Sequence, residues 1–153
     1  STARLTTRGH DFAEFVRGFE TARNAGLRIC VHIINGLPGE TPEMMEQTAE
    51  ILGGMRPDGV KIHLLHVIKN TTLAGLWESG KYQPMERDDY IGTVVRQLEL
   101  LPPETVIERL TGDGDREELL APLWSLDKRA VLGGIMKRQK QLDSIQGLRF
   151  QEG

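Results

Sequence analysis

His32, Lys61, His63 and His66 are the side chains whose types suit proton transfer, anion binding or metal ligation. Histidine titrates near neutral pH and ligates metals, and lysine brings a compact positive charge. A second chemical element lies between them: Asn35-Gly36-Leu37-Pro38-Gly39-Glu40, followed by Thr41-Pro42-Glu43. Gly36 and Gly39 permit positive φ and close backbone approach. Thr41 and Pro42 suit the N-cap and first position of a helix, whose opening turn presents free N–H groups. A ligand with a flat base and polar groups can rest against such a backbone. No Gly-Lys-Ser/Thr follows, so the loop is not a Walker phosphate loop. Thr111-Gly112-Asp113-Gly114-Asp115 is acidic but lacks the ligand series and closing glutamate of a calcium-binding EF-hand, which leaves a tight turn. Arg129, Lys137 and Lys140 can share a helical face able to meet RNA phosphates; solvated cations near a helix C-terminus account for them more simply.

These residues need elements to hold them. Phe12, Phe15, Val16, Phe19 and Ala22 recur at helical spacing, and Gly26 can take the left-handed position after that helix. Residues 27–34 are short, rich in branched side chains and bounded by glycines, which predicts a strand. Met45, Ala49 and Leu52 supply the apolar face of the helix opened by Thr41, with Gly53-Gly54 as its stop. The pattern then repeats: a strand at 60–67, a helix marked by Ile91, Val94, Val95 and Leu98 and ended by Pro102-Pro103, and a third strand at 105–110. Ser125 is the expected cap of a last helix carrying Leu132, Ile135 and Met136. Residues 68–85 form a long connection, of a length often used for function. Alternating strand and helix predict an α/β fold with a largely parallel sheet.

Strand parity sorts side chains by face. Leu27, Ile29, Val31 and Ile33 share one face of the first strand, against Arg28, Cys30, His32 and Ile34 on the other. In the second, Val60, Ile62 and Leu64 oppose Lys61, His63 and Leu65. One face of each strand is therefore uniformly apolar, ready to pack under helices. The other is polar, the lumen of a barrel or the partly solvated side of an open sheet. A histidine satisfied by a carbonyl or water is the simpler account of His32 and His63. The sharper one places His32, Lys61 and His63 on adjacent parallel strands, lining one polar pocket, with His66 on its rim.

A length of 153 residues suits one domain, and a net charge of -3 gives no general reason to bind nucleic acid or membranes. No apolar run reaches the roughly 18 residues of a membrane span. Cys30 is the single cysteine, which excludes disulfides and cysteine-based zinc or iron–sulfur sites within one chain and suits a reducing cytoplasm. The chain opens at Ser1, as expected of an excised or processed piece.

The ordered series Arg8-Gly9-His10-Asp11-Phe12, Ala25-Gly26-Leu27 and Ile34-Asn35-Gly36-Leu37-Pro38-Gly39-Glu40-Thr41 resembles the radical S-adenosylmethionine (SAM) superfamily. It is most similar to the branch with the coproporphyrinogen dehydrogenase and Elongator catalytic subunit types. Residues 59–71 look like that branch's sixth strand and following loop. Arg109-Leu110-Thr111-Gly112-Asp113-Gly114 and Ala121-Pro122-Leu123-Trp124-Ser125 resemble the narrower YhcC-type family. The resemblance implies the C-terminal part of a partial (β/α)6 TIM-like barrel in residues 1–100, with a small α/β extension in 101–153.

In that superfamily three closely spaced cysteines hold a [4Fe–4S] cluster, SAM ligates its fourth iron, and reductive cleavage of SAM yields a hydrogen-abstracting radical. Carried onto this chain, the resemblance makes Ile34, Gly36, Leu37, Pro38 and Gly39 an adenine wall, with His66 and Val67 offering main-chain bonds. His32, Lys61 and His63 would face substrate. His32 and Gly39 depart from the Gly and Glu common at those positions. No catalytic residue or metal ligand is assigned here, and the cluster half is absent, so the chain alone is expected to be inactive, to hold neither cofactor, and to self-associate through open barrel edges. A tRNA substrate for the full-length protein follows from relatives that modify the wobble uridine. The competing readings are a non-enzymatic binding module and a TIM-like enzyme with metal on His32, His63 and His66.

Overall fold

The computed structural model describes residues 2–6, 12–112 and 114–152; Asp113 and the Arg8-Gly9-His10-Asp11 run lie outside them. β1 (Thr2–Thr6) leads to α1 (Phe12–Asn24), and β2 (Arg28–Asn35) to α2 (Pro42–Gly54). β3 (Gly59–Leu64) precedes a short β4 (Val67–Ile68), α3 (Thr72–Glu78) and α4 (Arg87–Leu100). β5 (Val106–Arg109), β6 (Leu119–Ala121), a 3-10 turn at Leu123–Leu126 and α5 (Lys128–Gln141) follow.

The main sheet is wholly parallel, in the order β1-β2-β3-β5. A doubly wound sheet reverses its strand order at a switch point. Here the chain steps in one direction, the winding of a (β/α) barrel. The apolar parity of the strands decides where the helices go. Ile29, Val31, Ile33, Val60, Ile62 and Leu64 form one cluster with α1 (Phe15, Phe19), α2 (Leu52), α4 (Tyr90, Val94, Leu98) and α5 (Val131, Ile135). Each fully buried side chain of this kind contributes about 1.5–3 kcal/mol. A smaller cluster joins Leu65, Val67, Ala74, Tyr82 and Ala121, with Ile34 and Leu37 against it.

Thr41 caps α2 as its type predicts, its Oγ accepting the Met44 N–H at 3.2 Å with Pro42 next in line. The stop differs from the expected Gly53-Gly54. Gly53 remains in the helix, and having no side chain it lets the Leu100 carbonyl of α4 approach, 2.3 Å from where a Cβ would stand. The reversal falls on Arg56, at φ 54, whose guanidinium binds Glu104 and Glu152.

Four further differences have local causes. The strand expected to reach 67 ends at Leu64: the Leu65 N–H makes the last bond to β2, to the Asn35 carbonyl (2.8 Å), and Val67–Ile68 then turn away to pair antiparallel with β6. α3 lies inside the 68–85 connection, capped by Thr71, and is only seven residues long, too short for a periodic signal. The last helix is capped by Asp127, whose Oδ1 accepts the Ala130 N–H at 3.1 Å, rather than by Ser125. β1 carries no strong alternation in Thr2-Ala3-Arg4-Leu5-Thr6, yet pairs with β2 along five residues.

After α5 the chain returns to the end of α4. Gly147 and Arg149 donate their N–H groups to the Leu98 and Glu99 carbonyls at 3.0 and 2.9 Å. The Gln146 amide donates to the carbonyls of Pro102 (2.8 Å) and Thr105 (2.7 Å). Ser144 donates to the buried Glu99 carboxylate at 2.8 Å. This tail packs on α4, and β5 pairs with β3.

Candidate functional site

The polar parity of β2 and β3 opens a cleft of about 280 Å³ on the sheet face opposite the helix core, lined by His32, Ile34, Lys61, His63, His66 and Arg109 with Thr111 beside them. Register explains the gathering. His32 is the Cα partner of Lys61, Ile34 of His63, and Lys61 of Arg109 on β5. The expected substrate-facing trio therefore converges, and Arg109 and Thr111 join it without having been singled out. The His32 and His63 rings stand edge to face, centroids 6.2 Å apart. Burial, reinforced by the positive potentials of His32, His66 and Arg109, lowers the His63 pKa to about 4. At neutral pH His63 is thus an uncharged donor and acceptor. Burial also pushes His66 below the ordinary histidine value. The fixed positive charge among the described lining residues sits on Lys61 and Arg109.

His66 sits in a seat made by the segment that resembled a calcium loop. A Cβ on Gly112 would lie 2.5 Å from His66 Cε1, and one on Gly114 2.7 Å from Nδ1. Two missing side chains make room for one imidazole. Its Nε2 lies 3.2 Å from Ser125 Oγ, which donates to the Pro122 carbonyl at 3.0 Å. Tyr90 fixes the strand end nearby by donating its hydroxyl to the Leu110 carbonyl at 2.8 Å.

The loop after β2 is tied at four points. Asn35 and Gln97 exchange two amide hydrogen bonds of 2.8 Å, and Gln97 donates again to the Met45 carbonyl at 3.0 Å. Gly36 and Leu37 donate their N–H groups to the Glu40 carboxylate (2.9 and 3.2 Å). Tyr82 donates to the Gly36 carbonyl at 2.6 Å. Gly36 and Gly39 take the positive φ their type permits, 86° and 78°. Burial raises the Glu40 pKa in spite of the two N–H groups that pull it down.

This geometry divides the expected cofactor-binding set. Ile34 and His66 face the cleft. Gly36, Leu37, Pro38 and Gly39 line a neighbouring hollow with Tyr82 and Met85. Gly36 is backed by Met85, 3.1 Å from where a Cβ would stand. Val67 is wholly buried in the smaller cluster. Among the described residues no three of His, Cys, Asp and Glu are placed to hold a metal ion, so a centre on His32, His63 and His66 has no geometry behind it. Among them, too, no helix is long and apolar enough to cross a membrane.

The comparisons with known proteins fit this arrangement. The profile of the radical SAM superfamily matches residues 2–52, and that of the Radical_SAM C-terminal domain matches 57–141. The uncharacterized protein YtqA of Bacillus subtilis (strain 168) is 45% identical over 150 residues, 98% of this chain and 47% of YtqA. Protein YhcC of Escherichia coli (strain K12) is 40% identical over 123 residues, 80% of this chain and 40% of YhcC. The chain spans less than half the length of either relative. The structure of archaeal Methanocaldococcus infernus Elp3 with an N-terminal deletion matches with a TM-score of 0.77 at 19% identity, over 92% of this chain and 33% of that one, a likeness of fold. With a domain profile covering more than half its length and YhcC-type relatives at this identity, the chain belongs to the radical SAM superfamily.

Proposed function

We propose that this chain supplies the adenine wall and part of the substrate pocket of a radical SAM enzyme, acting within a full-length protein that holds the [4Fe–4S] cluster elsewhere. The rigidly tied loop beside a polar cleft carries this reading. Preorganised backbone binds a flat ligand without paying to order itself on contact. Ile34 and Leu37 are half-buried and present apolar surface on the cleft side and the hollow side of the loop. They fit a purine face, with the main chain at His66 and Val67 running alongside. The cluster does not fit this chain: Cys30 is the single cysteine and is 1% exposed within β2. When bound in the full-length protein, SAM and the cluster supply a carbon radical that removes a hydrogen atom from substrate. The chain's own residues bind and orient. His32, Lys61 and His63 face substrate, and Glu40 holds the loop by occupying its amides.

The branch's likeness to the Elongator catalytic subunit makes tRNA the substrate of this proposal, and a reducing cytoplasm its compartment. Residues 1–100 would be barrel and 101–153 the family extension. β1 and β5 are the edges of the described sheet, and an edge strand is a template for pairing. In isolation a second copy would cover them. The test is anaerobic reconstitution of the full-length protein. SAM cleavage to 5′-deoxyadenosine, stimulated by tRNA and slowed at low SAM by Leu37→Asp, is expected. A fully loaded cluster without cleavage under any RNA would overturn the proposal.

A further inference from the structure

We propose that the outer side of the helix layer is a two-fold interface with a second copy of this chain, in which α2 of each copy lies on α5 of the other. Charge and placement carry it. α2 has three glutamates, Glu43, Glu46 and Glu50, and no cation. α5 has five cations, Lys128, Arg129, Lys137, Arg138 and Lys140, and no acid. Glu43, Glu50, Lys137 and Lys140 are exposed, and among the described residues none of the four enters an ion pair. Apolar surface accompanies them: Met44 on α2 and Met136 on α5 are 48% and 69% exposed.

α4 lies between the two helices. Its Arg96 meets Glu46 of α2 at 3.3 Å and its Leu100 carbonyl meets Gly53, while its Ile91 meets Gly134 of α5. Arg96 and Leu100 stand about 140–180° round the helix from Ile91, so α2 and α5 occupy opposite flanks. Ser144, just past α5, bonds Glu99 further along α4. All three helices therefore run the same way. A two-fold axis along α4 turns α2 of one copy onto α5 of the other, twice over, and keeps every height along the axis. Glu43 and Glu50 then fall level with Lys137 and Lys140, and Met44 with Met136. An axis across the helices would instead stack acid on acid and base on base, which like-charge repulsion opposes. Each helix is about 20 Å long and neighbours sit about 8–10 Å apart, so the layer offers a face of about 20 by 30 Å. That is the scale of a standard contact, about 800 Å² per partner. The surface is distinct from the sheet edges at β1 and β5.

The test is analytical ultracentrifugation of the 153-residue chain. A dimer that weakens as salt rises is expected, because exposed charges are screened. Lys137→Glu with Lys140→Glu, and separately Glu43→Lys with Glu50→Lys, should each raise the dimer Kd by more than about tenfold, since both set like charges opposite one another. Mixed in equal amounts, the two reversed proteins should associate as tightly as the original, because α2 and α5 are again opposite in sign at both contacts. All four side chains are exposed, so the reversals leave the core untouched. A chain that stays monomeric at low salt overturns the proposal. So does a dimer indifferent to either reversal, which would assign association to the sheet edges. A mixture of the reversed proteins that fails to pair overturns it as well. None of these outcomes involves SAM or the cluster, so the interface and the proposed function fail separately.

Discussion

The amide pair between Asn35 and Gln97 sets the loop's position, and its energetics can be worked out before any measurement. Both residues are buried, at 1% and 0% exposure, so neither amide has water as an alternative partner. Asn35→Ala removes two hydrogen bonds and leaves the Gln97 carbonyl oxygen without a donor, while one Gln97 N–H keeps the Met45 carbonyl. A net bond is worth about 1 kcal/mol and an orphaned buried group costs about 1–3, giving a loss of about 3 kcal/mol. Gln97→Ala also removes the second donor to the Met45 carbonyl and empties more volume, for about 4 kcal/mol. The double variant strands neither amide against the other. Its loss should therefore stay near about 4 kcal/mol, short of additivity by about 2–3 kcal/mol. Urea unfolding of the four proteins with a shared m-value measures this directly. Hydrogen exchange at Gly36 and Leu37 should accelerate in both single variants. Losses that add within about 0.5 kcal/mol would refute the claim that this pair, rather than general packing, fixes the loop.

Gly112→Ala should displace the His66 ring, since the new methyl would stand 2.5 Å from Cε1, and cost about 1–3 kcal/mol; an unchanged His66 ring spectrum would contradict the seat. Glu40→Gln keeps an oxygen for the Gly36 and Leu37 amides and removes a buried charge, so it should leave stability at pH 7 within about 1 kcal/mol or raise it, whereas Glu40→Ala should cost about 1–3 kcal/mol by thermal denaturation. The folded Glu40 pKa is raised, so its ionisation penalty is complete above that value and is relieved as pH falls. His63 runs the other way in sign: its folded pKa is near 4 against 6.5, so the unfolded chain takes up protons first, and stability present above 6.5 is lost as pH falls towards 4. Screening at a partly exposed ring reduces this to roughly 2 kcal/mol, and the His63→Gln protein should show a correspondingly flatter urea midpoint between pH 7.5 and 4.5.

Strand parity was readable because alternation is a local property: Ile29, Val31, Ile33, Val60, Ile62 and Leu64 form the core, and His32, Lys61 and His63 share the other side. Thr41-Pro42 announced α2 for the same reason, a cap being written in three neighbouring residues. What escaped was long-range. Nothing near Gln97 says that it faces Asn35 62 positions earlier, and nothing near Gly112 or Gly114 says that their bareness serves His66. Arg109 sits in a strand of four residues, too short for its face to be assigned without the register to β3. Ser125 and Asp127 are equally good caps by type, and only the 3-10 turn before α5 decides between them.

The returning tail gives the fold a mechanical property. Residues 144–149 are stitched to the end of α4 and to the stretch that feeds β5, the strand bearing Arg109. Residues 144–149 thus brace the base of β5 from outside the sheet, and cleavage at the exposed Leu142 or Asp143 is expected to release that brace. Trimming after α5 is accordingly a way to slacken the site without altering any residue that lines it.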